Sequence, residues 1–205
     1  MKKCFQLNNT CQRNSNKTSS LAGPVNAVQK FITRCKLWTG GVSVQESNEE
    51  ELYQSVVEAL KSYFVGKKGV DATFWITSRG IPEEVRKLLK SEILFLVDKE
   101  FRPDIMGVLR LPTQQITQQQ LVTVEVKNRV DLRAWFQAKK NYGDLYDAKI
   151  ALLVSPAPMP EKIRRLIEVH PALRYRFMSG HSICYARVDK IERILSKFFP
   201  EEPLL

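Results

Sequence analysis

In residues 47 to 64, "SNEEELYQSVVEALKSYF", the apolar positions Leu52, Val56, Leu60 and Phe64 recur at the interval that marks one face of a helix. Ser47 and Glu50 have capping-box spacing at its start. Glu49 lies three residues before Leu52 and seven before Val56. It is therefore expected to project from the first turn along the apolar face, toward whatever that face covers.

Beyond "GKKGVD" the pattern shortens. "ATFWIT" reads as a strand, "IPEEVRKLLKS" as a helix with Pro82 near its first turn, and "EILFLVD" as another strand. Two strands follow, at roughly 104 to 111 and 121 to 127, joined by the polar "PTQQITQQQ" and expected to pair as a hairpin. Residues 131 to 146, "DLRAWFQAKKNYGDLY", predict a helix with Asp131 as N-cap, and "KIALLVSP" predicts a buried strand closed by prolines. A helix at 160 to 169, a strand at "SICYARV" and a helix at 189 to 199 complete the chain. Such an alternation belongs to an α/β protein whose sheet is wrapped by helices, and it contains no internal repeat.

Residues 1 to 23 are rich in Asn, Ser, Thr and Lys without apolar periodicity, so they are expected to be disordered. In "PVNAVQKFITRCKLW", Val25, Val28, Ile32 and Cys35 have the spacing of a short basic helix. The expected organisation is a basic, partly disordered extension at 1 to 45 and one domain at 46 to 205.

Charge sharpens that division. Residues 1 to 45 carry seven Lys or Arg and no acid, leaving +3 of the net +10 to the remaining residues. A basic arm suits a polyanion such as nucleic acid; it also suits a plain solubilising tail. The missing acids fit an organelle transit peptide as well.

With 43% hydrophobic and 26% charged residues the composition is that of a soluble globular protein, and runs such as "ILFLV" and "IALLV" are too short to span a bilayer, so no membrane association is expected. Cys4, Cys11, Cys35 and Cys184 form no CxxC pair and only His170 and His181 accompany them, which argues against a structural zinc site. The "MKK" start runs into "CFQLNN" rather than an apolar stretch, so reduced thiols in an intracellular, cytoplasmic protein are expected. Any metal would have to be held by carboxylates.

The chemistry concentrates in "RPDIMGVLRLPTQQITQQQLVTVEVKN". Period-two alternation puts Val122, Val124 and Val126 on one face and Thr123, Glu125 and Lys127 on the other. An isolated E-x-K is usually just the wet face of a strand. Here, however, Asp104 begins the preceding strand, where a hairpin can bring it beside Glu125, and Glu49 points inward from a helix expected to cover the sheet. Two carboxylates that close repel unless a cation lies between them.

An acid on a first helix, Pro-Asp at a strand start, Glu-x-Lys on the next strand, then a helix and a buried strand resembles the PD-(D/E)XK nuclease superfamily. The matching stretches are "NEEELYQSVVEAL", "RPDIMG", "VEVKN", "FQAKKNY" and "IALLVSP", spanning about 48 to 155. The Holliday-junction resolvase and Mrr-like branches are the nearest in flavour. The resemblance implies a restriction-endonuclease-like core, a central mixed β-sheet flanked by helices, here with an extra C-terminal helix-strand-helix. It implies that Asp104 and Glu125 bind Mg²⁺ or Mn²⁺ and that Glu49 holds the metal or its water from further out. Lys127 would orient the attacking water, and Gln137 would act near the site or the phosphate. Gln137 and Tyr142 stand one residue wider than the Q-x-x-x-Y pattern of one branch, and an ordinary exposed helical glutamine is the plainer alternative.

The residue types suit that chemistry. A phosphodiester resists attack because it is anionic; a hard divalent cation neutralises charge and acidifies water, and such an ion takes oxygen ligands. A lysine beside it places positive charge where negative charge grows. The resulting expectation is a metal-dependent DNA endonuclease, with RNA left open as substrate and a homodimer as a possible assembly. A non-cleaving nucleic-acid-binding or assembly module with the same fold is the alternative, and an α/β domain with coincidental motifs is a third reading.

Other signatures fail. "VGKKGV" lacks the spacing and the terminal Ser or Thr of a phosphate-binding loop, and "MSGHSIC" is no nucleophile elbow. Trp38, Trp75 and Trp135 read as core or edge aromatics rather than as platforms for bases.

Overall fold

The computed structural model describes residues 46 to 98, 102 to 112, 117 to 174 and 181 to 203. The chain divides into two units, Met1–Ser43 and Val44–Leu205. The predicted basic helix, Trp38 and the three cysteines before Cys184 lie outside the described residues, and only the second unit is considered below.

Helix α1, Glu46–Lys61, continues into a wider π-type turn, Ser62–Lys67. Strand β1, Asp71–Ile76, is followed by the short helices α2, Glu83–Arg86, and α3, Ser91–Asp98. The hairpin is β2, Ile105–Pro112, and β3, Thr117–Val126. Helix α4, Leu132–Phe136, widens into a π-type stretch, Gln137–Asp144, before β4, Ile150–Ser155. Helices α5, Glu161–Val169, and α6, Pro171–Arg174, lead to β5, Ser182–Asp189, and β6, Ile194–Phe199.

The six strands form one mixed sheet in sequence order, parallel for β3–β4 and β4–β5 and antiparallel elsewhere. Helices flank it, as the α/β reading expects. On one face α1 lays Leu52, Val56 and Leu60, and the π-type turn lays Phe64, against Phe74, Val122, Val124, Val126, Leu152 and Val154, all buried. Burying each such aliphatic side chain contributes about 1.5–3 kcal/mol. That face therefore anchors α1 firmly to the strands that carry the chemistry. The opposite face meets α2 and α3 around Met106 and Val108, and α4 and α5 around Trp135, Leu153 and Ile167.

Four predicted elements change. Ser47 is already helical in α1, so it is not the N-cap. "EILFLVD" is not a strand but lies in α3, where Ile93 and Leu94 reach the cluster around Met106 while Phe95 is exposed. The Ile93 and Leu94 amides both donate to the Lys90 carbonyl, which starts helical winding at once. A five-residue apolar run has no periodicity to tell the two states apart.

The helix expected at 189 to 199 is instead a turn and strand β6. The Asp189 carboxylate accepts from the Ile191 and Glu192 amides, Arg193 takes φ 54°, and the chain reverses. An extra residue near Lys197, at φ 50°, bulges β6, which lets Leu195 and Phe198 face the same core despite their odd spacing. The predicted C-terminal helix-strand-helix is thus helix, strand, strand. Finally, β3 begins at Thr117, so Gln118, Gln119 and Gln120 pair with Leu111, Arg110 and Leu109 rather than forming the loop.

Among the described residues no helix is long and apolar enough to cross a membrane. Trp135 is fully buried and its indole N–H donates to the Leu173 carbonyl, a core role; Trp75 packs partly buried beside α3.

Candidate active site

Asp104 stands just before β2, and the pairing of Ile105 with Val124 places it opposite Glu125. Directly opposed residues of an antiparallel pair project to the same face. Thr77 fixes this strand start: its amide donates to the Asp104 carbonyl at 2.8 Å and its hydroxyl to the Pro103 carbonyl at 2.7 Å, with the side chain fully buried. The Asp104 carboxylate accepts the Val126 amide at 2.8 Å through Oδ2 and the Tyr53 hydroxyl at 2.8 Å through Oδ1. One bond ties it to β3, the other to α1.

Glu125 is 1% exposed, and neither of its oxygens has a hydrogen-bond donor. Lys127 Nζ stands 3.0 Å from Glu125 Oε1, near enough for charge attraction though outside hydrogen-bond geometry. The same ammonium donates to Glu49 Oε2 at 2.9 Å. Lys127 in turn is held by its amide, which donates to the Val154 carbonyl at 2.9 Å. Glu49, Asp104, Glu125 and Lys127 therefore form one connected cluster at the ends of β2 and β3. They come from α1 and the hairpin, elements far apart in sequence.

The electrostatics follow from this crowding. Burial raises Glu125 well above the usual carboxylate range, and the Asp104 charge pushes it further. Burial likewise raises Asp104, against the opposing pull of Lys127, the Val126 amide and the Tyr53 hydroxyl. For Lys127, burial alone would lower the ammonium, but Glu125, Asp104 and Glu49 outweigh it, so it is raised and stays protonated at neutral pH. Burial and Asp104 raise Tyr53, which therefore remains a donor.

The donor set can be tested against a divalent cation. A buried carboxylate that meets only an ammonium shared with Glu49, and faces a second carboxylate, is under-neutralised, and oxygen ligands of this kind are what Mg²⁺ or Mn²⁺ takes. Among the described residues no group of three His, Cys, Asp or Glu is arranged to hold a metal, since Glu49 turns to Lys127. Mg²⁺ keeps several waters and commonly takes only one or two protein carboxylates, so the Asp104–Glu125 pair fits it.

Gln137 is linked to the cluster through Tyr142. Its amide donates to the Tyr142 hydroxyl at 3.1 Å, and Tyr142 is buried close enough for the Glu125 charge to add to burial in raising it. In a regular helix positions five apart diverge, whereas π-type winding, closed by bonds between residues five apart, brings them to one side. The stretch Gln137–Asp144 has this winding, so it absorbs the extra residue that separates Gln137 from Tyr142.

Sequence reasoning missed Tyr53 and Thr77, and named Tyr142 only through its spacing from Gln137. Tyr53 had a readable signal, since it stands one helical turn after Glu49 and so shares its face. Thr77 had none.

No family model matches the chain, and no curated protein matches it. Among solved structures it is similar to the MspJI restriction endonuclease in complex with a 27-mer oligonucleotide, with 10% sequence identity and a TM-score of 0.41. That match covers 86% of this chain and 33% of the other, so the chain spans about a third of the length of that enzyme.

Proposed function

We propose that the described domain is a metal-dependent endonuclease that hydrolyses phosphodiester bonds in DNA. The observation that carries the reading is the buried Glu125 carboxylate, without a hydrogen-bond donor, set opposite Asp104 and beside Lys127. A bound Mg²⁺ or Mn²⁺ supplies positive charge to the phosphate and makes water more acidic. Asp104 and Glu125 hold that ion. Tyr53 and the Val126 amide favour the ionised form of Asp104 against the push of burial, and aim it.

Lys127 stays protonated, so it acts as a fixed cation that orients water and offsets charge growing on the phosphate, rather than as a base. Glu49 sets its position. Gln137 acts through Tyr142. The basic residues before Glu46 add phosphate contacts without sequence preference. Cutting both strands of a duplex with one site per chain calls for two copies, so a symmetric homodimer is the assembly that fits double-strand cleavage.

The test is cleavage of plasmid, branched DNA and RNA by purified protein with and without Mg²⁺. Glu125→Ala and Lys127→Ala each abolish cutting on this reading; a variant that cuts like the parent sinks the site assignment. One observation favours a second reading, a non-cleaving nucleic-acid-binding module: Lys127 is already neutralised by Glu49 and Glu125. Salt-sensitive binding with no cleavage on any substrate supports that alternative.

A further inference from the structure

A cavity of about 270 Å³ opens between β5, β6 and the start of α5. Its lining includes Arg164, Arg187 and Lys197 together with Tyr185 and Phe199, and contains no acidic residue, while the Phe198 ring turns to Tyr63 on the α1 side of the sheet. Arg187 Nε donates to the Pro156 carbonyl at 3.1 Å, which pins the guanidinium while its four terminal N–H donors lie beyond that bond. The Tyr185 hydroxyl donates to the Ala157 carbonyl at 2.6 Å, and the Arg164 guanidinium lies 5.4 Å from the Phe199 ring centroid, with its Nε donating to Glu168 at 3.2 Å and its terminal N–H groups beyond that bond. Three cations and two aromatic rings, two of the cations held in place, match a phosphate joined to a flat, stackable group. The cavity is below the roughly 300–1,000 Å³ of a pocket for a whole drug-sized ligand, so one unit of a polymer suits it better.

Position supplies the second argument. Glu125, Leu153 and Tyr185 are register partners across β3, β4 and β5, so Tyr185 lies in the same row and on the same sheet face as Glu125. Two strand spacings separate them, about 10 Å. Along one strand of duplex DNA that is about three phosphate steps, at roughly 3.4 Å of axis each.

We infer that this cavity is a nucleotide subsite, taking one phosphate and its base from the strand that passes the Asp104–Glu125 pair, within about three nucleotides of the scissile bond. The inference rests on the nuclease reading for the word scissile, but the binding itself does not require cleavage.

The experiment measures affinity of the full chain for labelled DNA in EDTA, where the strand stays intact, over a range of salt. Single neutral methylphosphonate linkages are scanned along the strand. Lys197→Glu and Arg164→Gln alter exposed side chains. Lys87→Glu, on the turn after α2 beside β2 and four strands from β6, is the charge control. Lys197→Glu lowers the salt slope of log K by about one and erases the sensitivity to one particular neutral linkage. Arg164→Gln weakens the same linkage, and Lys87→Glu leaves it unchanged. Equal effects from all three variants, or a linkage sensitivity that survives Lys197→Glu, overturn the subsite. A Mg²⁺ cleavage assay on the parent separates the two claims. Binding with this pattern but no cutting removes the nuclease reading and keeps the subsite, while cutting without the pattern removes only the subsite.

Discussion

Tyr53, one turn after Glu49 on α1, donates its hydroxyl proton to Asp104 at 2.8 Å, while Glu49 itself accepts from Lys127 at 2.9 Å. A single helical face thus grips both ends of the charged cluster, one through a carboxylate and one through an ammonium. The apolar residues on the same helix, Leu52 and Val56, are buried against the sheet. Packing and site geometry are therefore coupled: the helix cannot rotate without loosening both contacts.

Tyr53→Phe tests this coupling. The change removes one hydrogen bond to a carboxylate, worth about 1.5–3 kcal/mol of stability. Tyr53 lowers Asp104 against the upward push of burial, so its loss raises Asp104 further. Since the ionised carboxylate is the cation-binding form, the acid limb of the cleavage profile moves to higher pH. A pH–rate profile of both proteins measures it; an unmoved limb contradicts the role given to Tyr53.

Glu125→Gln separates charge from shape. Glu125 is raised in the folded chain above its ordinary value of 4.5, so the folded state binds its proton more firmly than the unfolded state. Stability is then lost as pH rises from the unfolded value toward the folded one. Without divalent ions, the variant matches the parent below pH 4.5 and exceeds it increasingly above that value. Adding Mg²⁺ or Mn²⁺ raises the parent's melting temperature and leaves the variant's unchanged, the gain reaching about 2.7 kcal/mol at a hundredfold excess over Kd. Thermal melts at several pH values check both arms.

Much of this architecture was legible because its periods are long or its residues chemically distinctive. Helix α1 and the turn that continues it show four apolar positions on one face, and the β2–β3 hairpin follows from alternation, which is enough to bring Asp104 and Glu125 opposite each other. The short run "EILFLVD" and the segment after Asp189 carried no such signal. Their states depend on tertiary contacts of Ile93 and Leu94 and on the Asp189 side chain accepting two amides, neither of which a pattern of apolar residues encodes. Glu49 was readable as inward-pointing, but its partner was not, since a contact between residues 49 and 127 is fixed by how α1 docks on the sheet.

Gly107→Ala probes the strand that Asp104 leads into. Gly107 pairs with Phe74, and a Cβ there would lie 2.3 Å from the Phe74 ring, itself buried under α1. The ring has no room to retreat, so the overpacking costs about 1–3 kcal/mol. Chemical denaturation reads the loss. A paired change, Phe74→Leu with Gly107→Ala, recovers part of it, whereas no recovery would mean the glycine serves another purpose.

The π-type stretch after Phe136 leads to the last prediction. It holds Gln137 against Tyr142, five residues on, with Tyr142 buried near Glu125. Gln137→Ala removes one hydrogen bond and leaves Tyr142 less firmly placed, which lowers kcat by about 5–10-fold with KM little changed. Deleting the exposed Lys140 shortens the stretch by one residue, and ordinary α-helical winding then puts the same glutamine and tyrosine at the four-residue spacing where side chains meet. The deletion therefore keeps the contact that Gln137→Ala destroys, and steady-state cleavage should place its kcat nearer the parent than that of Gln137→Ala. A deletion that folds, yet cleaves as slowly as Gln137→Ala, would show that the wide turn positions something other than this pair.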